Sequence, residues 1–275
     1  MSASPVQPPR LEALRYVQPL REGGSLPAVV DTDGGLYVVK FRGAGQGPRA
    51  LAAELIVGLL ARAAGLPVPD LALVQVPEQF GKAEPDPEIR ELLRASHGVN
   101  VGLRYLDGAF NYDVHAAGDL IDAQLAADVV WLDGFVTNPD RTHGNPNLLI
   151  WRRSPWLIDH GSALYIHHRW PASADVRGDS AFPPIRSHVL LARAGDVEAA
   201  HARMSERLDA ALIEATIALV PDALLGGGET TPAEERELYV RYLVARLEAG
   251  RFVSDAIEAQ RAQASAPRVR RTARR

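Results

Sequence analysis

The chain contains no cysteine, which removes disulfides and thiolate metal sites from consideration. It is nearly without lysine. Of its 30 basic residues only Lys40 and Lys82 are lysines, and the others are arginine. Asparagine is scarce as well, with five in 275 residues. No run of about 18 apolar residues reads as a membrane span, and the opening MSASPVQPPR lacks the apolar centre of a signal peptide. The expectation is a cytoplasmic protein with no membrane partner. A net charge of −4 gives no general attraction to nucleic acid. The exception is residues 268–275, which carry five arginines and could touch nucleic acid or an acidic partner, or be a solvated tail. The length corresponds to one or two domains, enough to bury about 75% of the unfolded surface.

Scarcity makes the survivors informative. Lys40 closes the apolar run Leu36-Tyr37-Val38-Val39-Lys40-Phe41. A compact ammonium there answers a need that a planar, bulkier guanidinium does not. Lys82 lies in a charged stretch and reads as a solvated surface residue. Three of the five asparagines, Asn138, Asn145 and Asn147, fall within VTNPDRTHGNPNLLIWRRSPWLIDHG, residues 136–161. This stretch reads as loop, strand (147–151), turn (152–155), strand (156–158) and loop. Asp140 stands before the first strand and Asp159 after the second. Carboxylates and amides are the hard oxygen ligands that magnesium takes, and an aspartate can accept a proton without carrying a positive charge of its own.

Along the rest of the chain, residues 1–9 are polar and proline-containing. Strands are expected at 14–20, 28–31 and 36–41, antiparallel, with a glycine-rich turn at 21–27 and a tight Asp33-Gly34-Gly35 hairpin. Backbone N–H groups in a turn such as Gly23-Gly24-Ser25 can approach phosphates closely, although an ordinary turn has the same composition. Pro48 opens a helix through Ala61 with i, i+3, i+4 apolar spacing. Glu54 lies inside it, either on a solvent face or paired with a buried cation. Further strands are expected at 71–76 and 99–106, with Pro85 and Pro87 breaking up the charged segment between them. A helix at 123–136 leads into the asparagine-rich stretch. If residues 163–170 are extended, His167 and His168 face opposite ways and make a poor chelate, so packing is their expected role. Helices follow at 187–193, 197–220, 232–249 and 254–263, with Thr231 and Glu234 or Glu235 as a cap signal.

The order Asp, Asn, short strand, hairpin, apolar-Asp-x-Gly resembles that of protein-kinase-like phosphotransferases. Residues 138–164, with the Gly23–Pro27 turn, Tyr37-Val38-Val39-Lys40-Phe41, the Glu54 helix and Gly65-Leu66-Pro67-Val68-Pro69, look like the HipA-like kinase family in its short stand-alone branch. The resemblance implies an α+β, bilobal protein-kinase-like fold: a small antiparallel-sheet N-lobe with one helix at 14–106 and a mainly helical C-lobe at 107–264. A lead at 1–13 and a basic tail at 265–275 flank them. It implies ATP and Mg2+ as cofactors. Asp140 would act on the acceptor hydroxyl, and Lys40, held by Glu54, would sit on the phosphates. Asp159 would be the main metal ligand, with Asn145 or Asn147 as the second. Gly23, Gly24 and Ser25 would lie over the phosphates. The backbone of residues 101–106, with Arg104 and Tyr105, would bond adenine, and His143 would contact the γ-phosphate or order its loop. His160 stands where protein kinases have phenylalanine. The implied activity is γ-phosphate transfer to a hydroxyl, on a Ser/Thr protein acceptor. The alternatives are a small-molecule kinase of the aminoglycoside-phosphotransferase type and a non-catalytic nucleotide-binding module, and nucleotidyl transfer on the same fold is also open.

Overall fold

The structure is a computed structural model that describes residues 5–20, 26–170, 176–226 and 230–265. Its first part holds β1 (Arg10–Pro19), β2 (Ala28–Thr32), β3 (Gly35–Lys40), α1 (Gly47–Ala63), β4 (Leu71–Val76), α2 (Pro87–Ala95) and β5 (Gly98–Arg104). The five strands close into a barrel in the order β1-β2-β3-β5-β4. All pairs are antiparallel except β1 with β4, which run parallel from Arg10 opposite Leu73 to Glu12 opposite Gln75. This closing pair explains why β1 begins at Arg10, earlier than the apolar pattern indicates: the first residues are held by β4, not by burial of their own side chains.

Alternate strand residues point inward. Ala28, Val30, Tyr37, Val39, Ala72 and Val74 fill the barrel with Phe41 and Leu93. Gly102 is required where the walls approach, because a Cβ there would lie 2.9 Å from Val74 Cγ2 and 3.3 Å from Tyr37.

The second part continues with β6 (Phe110–Asn111), α3 (Val114–Ala117), α4 (Ala123–Phe135), β7 (Leu148–Trp151), β8 (Ser154–Leu157), α5 (Val197–Arg207), α6 (Ala210–Ala218), α7 (Pro232–Ala249) and α8 (Arg251–Ser265). Strands β6, β7 and β8 form a small antiparallel sheet. Three differences from the sequence pattern have local causes. The expected helix at 197–220 is two helices, because Asp209 caps a new start by accepting from Leu212 N at 2.8 Å. The expected helix at 187–193 is a 3-10 turn at Pro183–Ser187 followed by tight turns. Residues Tyr165–Arg169 form a 3-10 helix and not a strand. The cap at α7 is as expected, with Thr231 and Glu234 exchanging hydrogen bonds, whereas Glu235 turns inward and is fully buried.

The fold is therefore α+β, with a sheet-rich first part and a helical second part. The two parts share a core. Helix α1 is buried from Ala50 to Ala61 and has no polar face. It packs against β4 and β5 on one side and against α6 and the 3-10 turn Asp222–Leu224 on another. Arg49 at its start pairs with buried Glu235 of α7 at 2.6 Å, and Arg207 at the end of α5 donates to Ala64 O at 2.7 Å. Among the described residues no helix is long and apolar enough to cross a membrane.

Candidate active site

Three residues far apart in sequence meet at one point. Lys40 ends β3, Glu54 lies mid-way along α1, and Asp159 follows β8. The Lys40 Nζ lies 2.6 Å from Glu54 Oε2 and 2.5 Å from Asp159 Oδ1. Burial disfavours the ammonium, but the two carboxylates outweigh it and hold the Lys40 pKa above its ordinary value. Burial likewise opposes ionisation of Asp159, and Lys40 outweighs it, so that carboxyl is held below the usual range. Glu54 is wholly buried. Its Oε2 accepts a second bond from the backbone N–H of His160 at 2.7 Å, so the paired arrangement of Glu54 is the one the fold adopts.

The loop from α4 to β7 carries Asp140 and its companions, and a buried network shapes it. Asp133, in the last turn of α4, receives Asn138 Nδ2 at 2.9 Å, Arg141 Nε at 2.5 Å and His188 Nε2 at 2.9 Å. His188 Nδ1 accepts from Leu190 N, so the proton sits on Nε2 and is donated to Asp133. Burial would raise the Asp133 pKa, yet Arg141 and His188 hold it far below the carboxylate range. Arg141 also donates to the carbonyls of Asn147 and Ile158, and its other amino group meets His160 Nδ1 at 3.3 Å. Both strands of the β7–β8 hairpin are thus tied to the Asp140 loop by one guanidinium. Four non-glycine residues of this region, Thr137, Asn147, Asp159 and Leu164, have φ between 49° and 56°, a clustering of costly backbone conformations that marks functional sites.

Asp140 N–H donates to Asn138 Oδ1 at 3.1 Å. Its Oδ2 accepts from Asn145 Nδ2 at 2.9 Å and from Asn147 Nδ2 at 3.1 Å. The two asparagines differ in setting. Asn145 is exposed on the loop, whereas Asn147 is buried. Its carbonyl accepts from Ile158 N, one residue before Asp159. The hairpin therefore sets Asn147 beside Asp159.

The HipA-like kinase family profile matches residues 17–174, more than half of the chain, including Lys40, Glu54, Asp140, Asn145, Asn147 and Asp159. The chain belongs to the HipA-like kinase family. Its fold is also that of a solved kinase, the Helicobacter pylori proinflammatory kinase CtkA. That structure superposes with a TM-score of 0.54 at 13% identity, covering 94% of this chain and 100% of that one. No curated protein matches.

In this HipA-like kinase the structure brings together Lys40, Glu54 and Asp159 in one cluster and Asp140, Asn145 and Asn147 in a second, joined through Arg141. Gly23, Gly24 and Ser25 lie outside the described residues. The strand ends that flank them, Leu20 and Pro27, are hydrogen-bonded at 2.7 Å, and β2 then starts opposite Val39, beside Lys40. His143 is exposed on the Asp140 loop and makes no side-chain hydrogen bond among the described residues. In the segment expected at adenine, the backbone N–H groups of Arg104 and Tyr105 are bonded to Asp70 O at 2.8 Å and Leu36 O at 2.9 Å. His167 and His168, on their 3-10 turn, do face each other, with Nε2 atoms 3.1 Å apart, and His167 Nδ1 meets Tyr239 OH at 2.8 Å. They are a hydrogen-bonded pair in the packing against α7. Sequence reasoning passed over Asp133, Arg141 and His188. Asp133 had the same kind of signal as Glu54, a carboxylate in an apolar helix, although its helix also carries Asp128.

Proposed function

We propose that this HipA-like kinase is an ATP- and magnesium-dependent phosphotransferase with a bilobal working arrangement, in which the nucleotide lies between the barrel and the helical part. The convergence of Lys40, Glu54 and Asp159 carries the reading. Lysine paired to a helix glutamate, close to a metal-binding aspartate, is the constellation that kinases use on ATP phosphates. The donor set fits magnesium. Asp159 is partly exposed and Asn147 offers its amide oxygen, since its Nδ2 is given to Asp140. Among the described residues no group of three or more histidines and carboxylates is arranged to hold a metal, and magnesium needs only one or two protein ligands where phosphates and water complete its shell. When bound, the ion supplies charge neutralisation at the phosphate oxygens.

The residues do the rest by position. Lys40 neutralises the phosphates from the barrel side. Asp140, with Oδ2 held by two amides, keeps Oδ1 for the hydrogen of the acceptor hydroxyl. As the acceptor oxygen bonds to the γ-phosphorus, the bond from that phosphorus to the bridging oxygen breaks and ADP leaves. The acceptor we favour is a serine or threonine of a protein. A cationic small molecule would call for carboxylates around Asp140, and the accessible part of the loop offers Thr142, His143 and Asn145. The test is incubation with ATP labelled at the α- or the γ-phosphate, followed by phosphoamino-acid analysis. Label passing from the γ position to serine or threonine supports the reading; label on another residue type refutes the favoured acceptor, and label from the α position shows nucleotidyl transfer and refutes γ-phosphate transfer.

A further inference from the structure

A cavity lies away from the Lys40 constellation. It has a volume of about 590 Å³ and shares no lining residue with Lys40, Glu54, Asp140 or Asp159. Three segments enclose it: the loop after α1, the connector after β5, and the turn end of the β7–β8 hairpin. That volume suits a small-molecule ligand.

Its chemistry is specific. Arg62, Arg104 and Arg152 stand around it. Arg62 is already used, bonded to Val68 O at 3.0 Å and paired with Asp70 at 2.7 Å. Arg104 and Arg152 have no carboxylate partner among the described residues. Arg152 lies over the Trp151 ring at 4.2 Å, and Trp156 meets that ring edge-on at 5.7 Å. Trp156 Nε1 is shielded from solvent and has no hydrogen-bond acceptor among the described residues. Asp107 adds a carboxylate, while its carbonyl accepts from Trp151 Nε1 at 2.9 Å. The turn that presents Arg152 is strained. Arg152 and Arg153 have φ of 50° and 63°, at positions of a two-residue hairpin turn that favour Asn-Gly. Side chains kept at such a cost point to a use.

We propose that this cavity is a second ligand site that takes a nucleoside phosphate. The base stacks on the tryptophan wall, the phosphate lies on Arg104 and Arg152, and a base N–H or ribose hydroxyl donates to Asp107. A planar anion with donors meets Arg104, Arg152, Asp107 and the aromatic face together, whereas a bare anion leaves the aromatic face and Asp107 unused. The site lies at the turn end of the hairpin whose other end holds Asn147 and Asp159.

The experiment is titration calorimetry of the whole chain with guanosine 5′-monophosphate. Magnesium and a saturating non-hydrolysable ATP analogue keep the catalytic cleft filled. One equivalent of monophosphate binds, and R104Q/R152Q weakens it by about tenfold or more, as loss of charge-assisted contacts does. Both arginines are on the surface, and an unchanged circular dichroism spectrum reports an intact fold. No binding to the wild-type chain, or binding unaffected by R104Q/R152Q, overturns the proposal. So does inorganic phosphate binding as tightly as the nucleotide.

Discussion

The backbone N–H of His160 donates to the same Glu54 oxygen that receives the Lys40 ammonium, at 2.7 Å and 2.6 Å. One oxygen of a buried helix therefore fixes both the barrel strand and the loop that carries Asp159. Because α1 is enclosed on every side and tied at both ends, this carboxylate is held in place by the core itself. Glu54→Gln keeps the shape and removes the charge. Its expected effect is a fall of about 10²-fold or more in kcat, the cost of losing one preorganised electrostatic contact, with folding retained by circular dichroism.

Lys40→Arg tests why one lysine persists in an arginine-rich chain. The ammonium fits between two carboxylate oxygens at 2.5 Å and 2.6 Å. A planar fork cannot occupy that point without moving one of them. Phosphate transfer by Lys40→Arg is expected to fall by about 10²-fold. Wild-type rates in this variant would remove the reason given for the lysine.

Substitution can tell Asn145 from Asn147 as the proposed metal ligand. Asn147→Gly deletes the amide and accepts the positive φ, and Asn145→Gly is its matched control. The magnesium concentration for half-maximal activity is expected to rise about tenfold or more in Asn147→Gly, the scale on which metal-site residues act, and to change little in Asn145→Gly.

His160 makes stability depend on pH. Burial pushes its pKa down from 6.5 to about 4, so the folded chain holds it neutral while the unfolded chain protonates it. Stability from this residue is full above 6.5 and is lost as pH falls from 6.5 towards 4, by about 3 kcal/mol in all. Denaturant unfolding of His160→Gln between pH 7 and 4.5 is expected to show a shallower decline than the wild type.

Asp133 acts lower on the scale. Its folded pKa is depressed, so its contribution is present above the ordinary carboxylate range and is lost as pH falls through the folded value. Near neutral pH, Asp133→Ala leaves Arg141 buried without its partner, and a loss of about 3–5 kcal/mol is expected, read as a lower denaturant midpoint.

The barrel strands, α1, α4 and the cluster at 136–161 were legible because their signals are local. A glycine hairpin, an apolar run and an acid flanked by amides announce themselves in sequence. The pairing of Lys40 with Glu54 was legible only as one of two alternatives, because burial of a helix face depends on what packs against it, here α6. Three features were not legible. The parallel β1–β4 contact depends on strands some 60 residues apart in the chain. The hold of Asp133 on Arg141 and His188 depends on the tertiary path of the segment after the 3-10 turn at Pro183–Ser187. The choice between Asn145 and Asn147 depends on hairpin register, and the short turn at Arg152–Arg153 sets that register.

The most direct measurement compares transfer of γ-phosphate from ATP by the wild-type chain, Asp140→Asn and Asp159→Asn in magnesium. Transfer by the wild type and its loss in both folded variants is the expected result. Transfer that persists in both would contradict the site, because neither the acceptor hydroxyl nor the metal would then depend on Asp140 or Asp159.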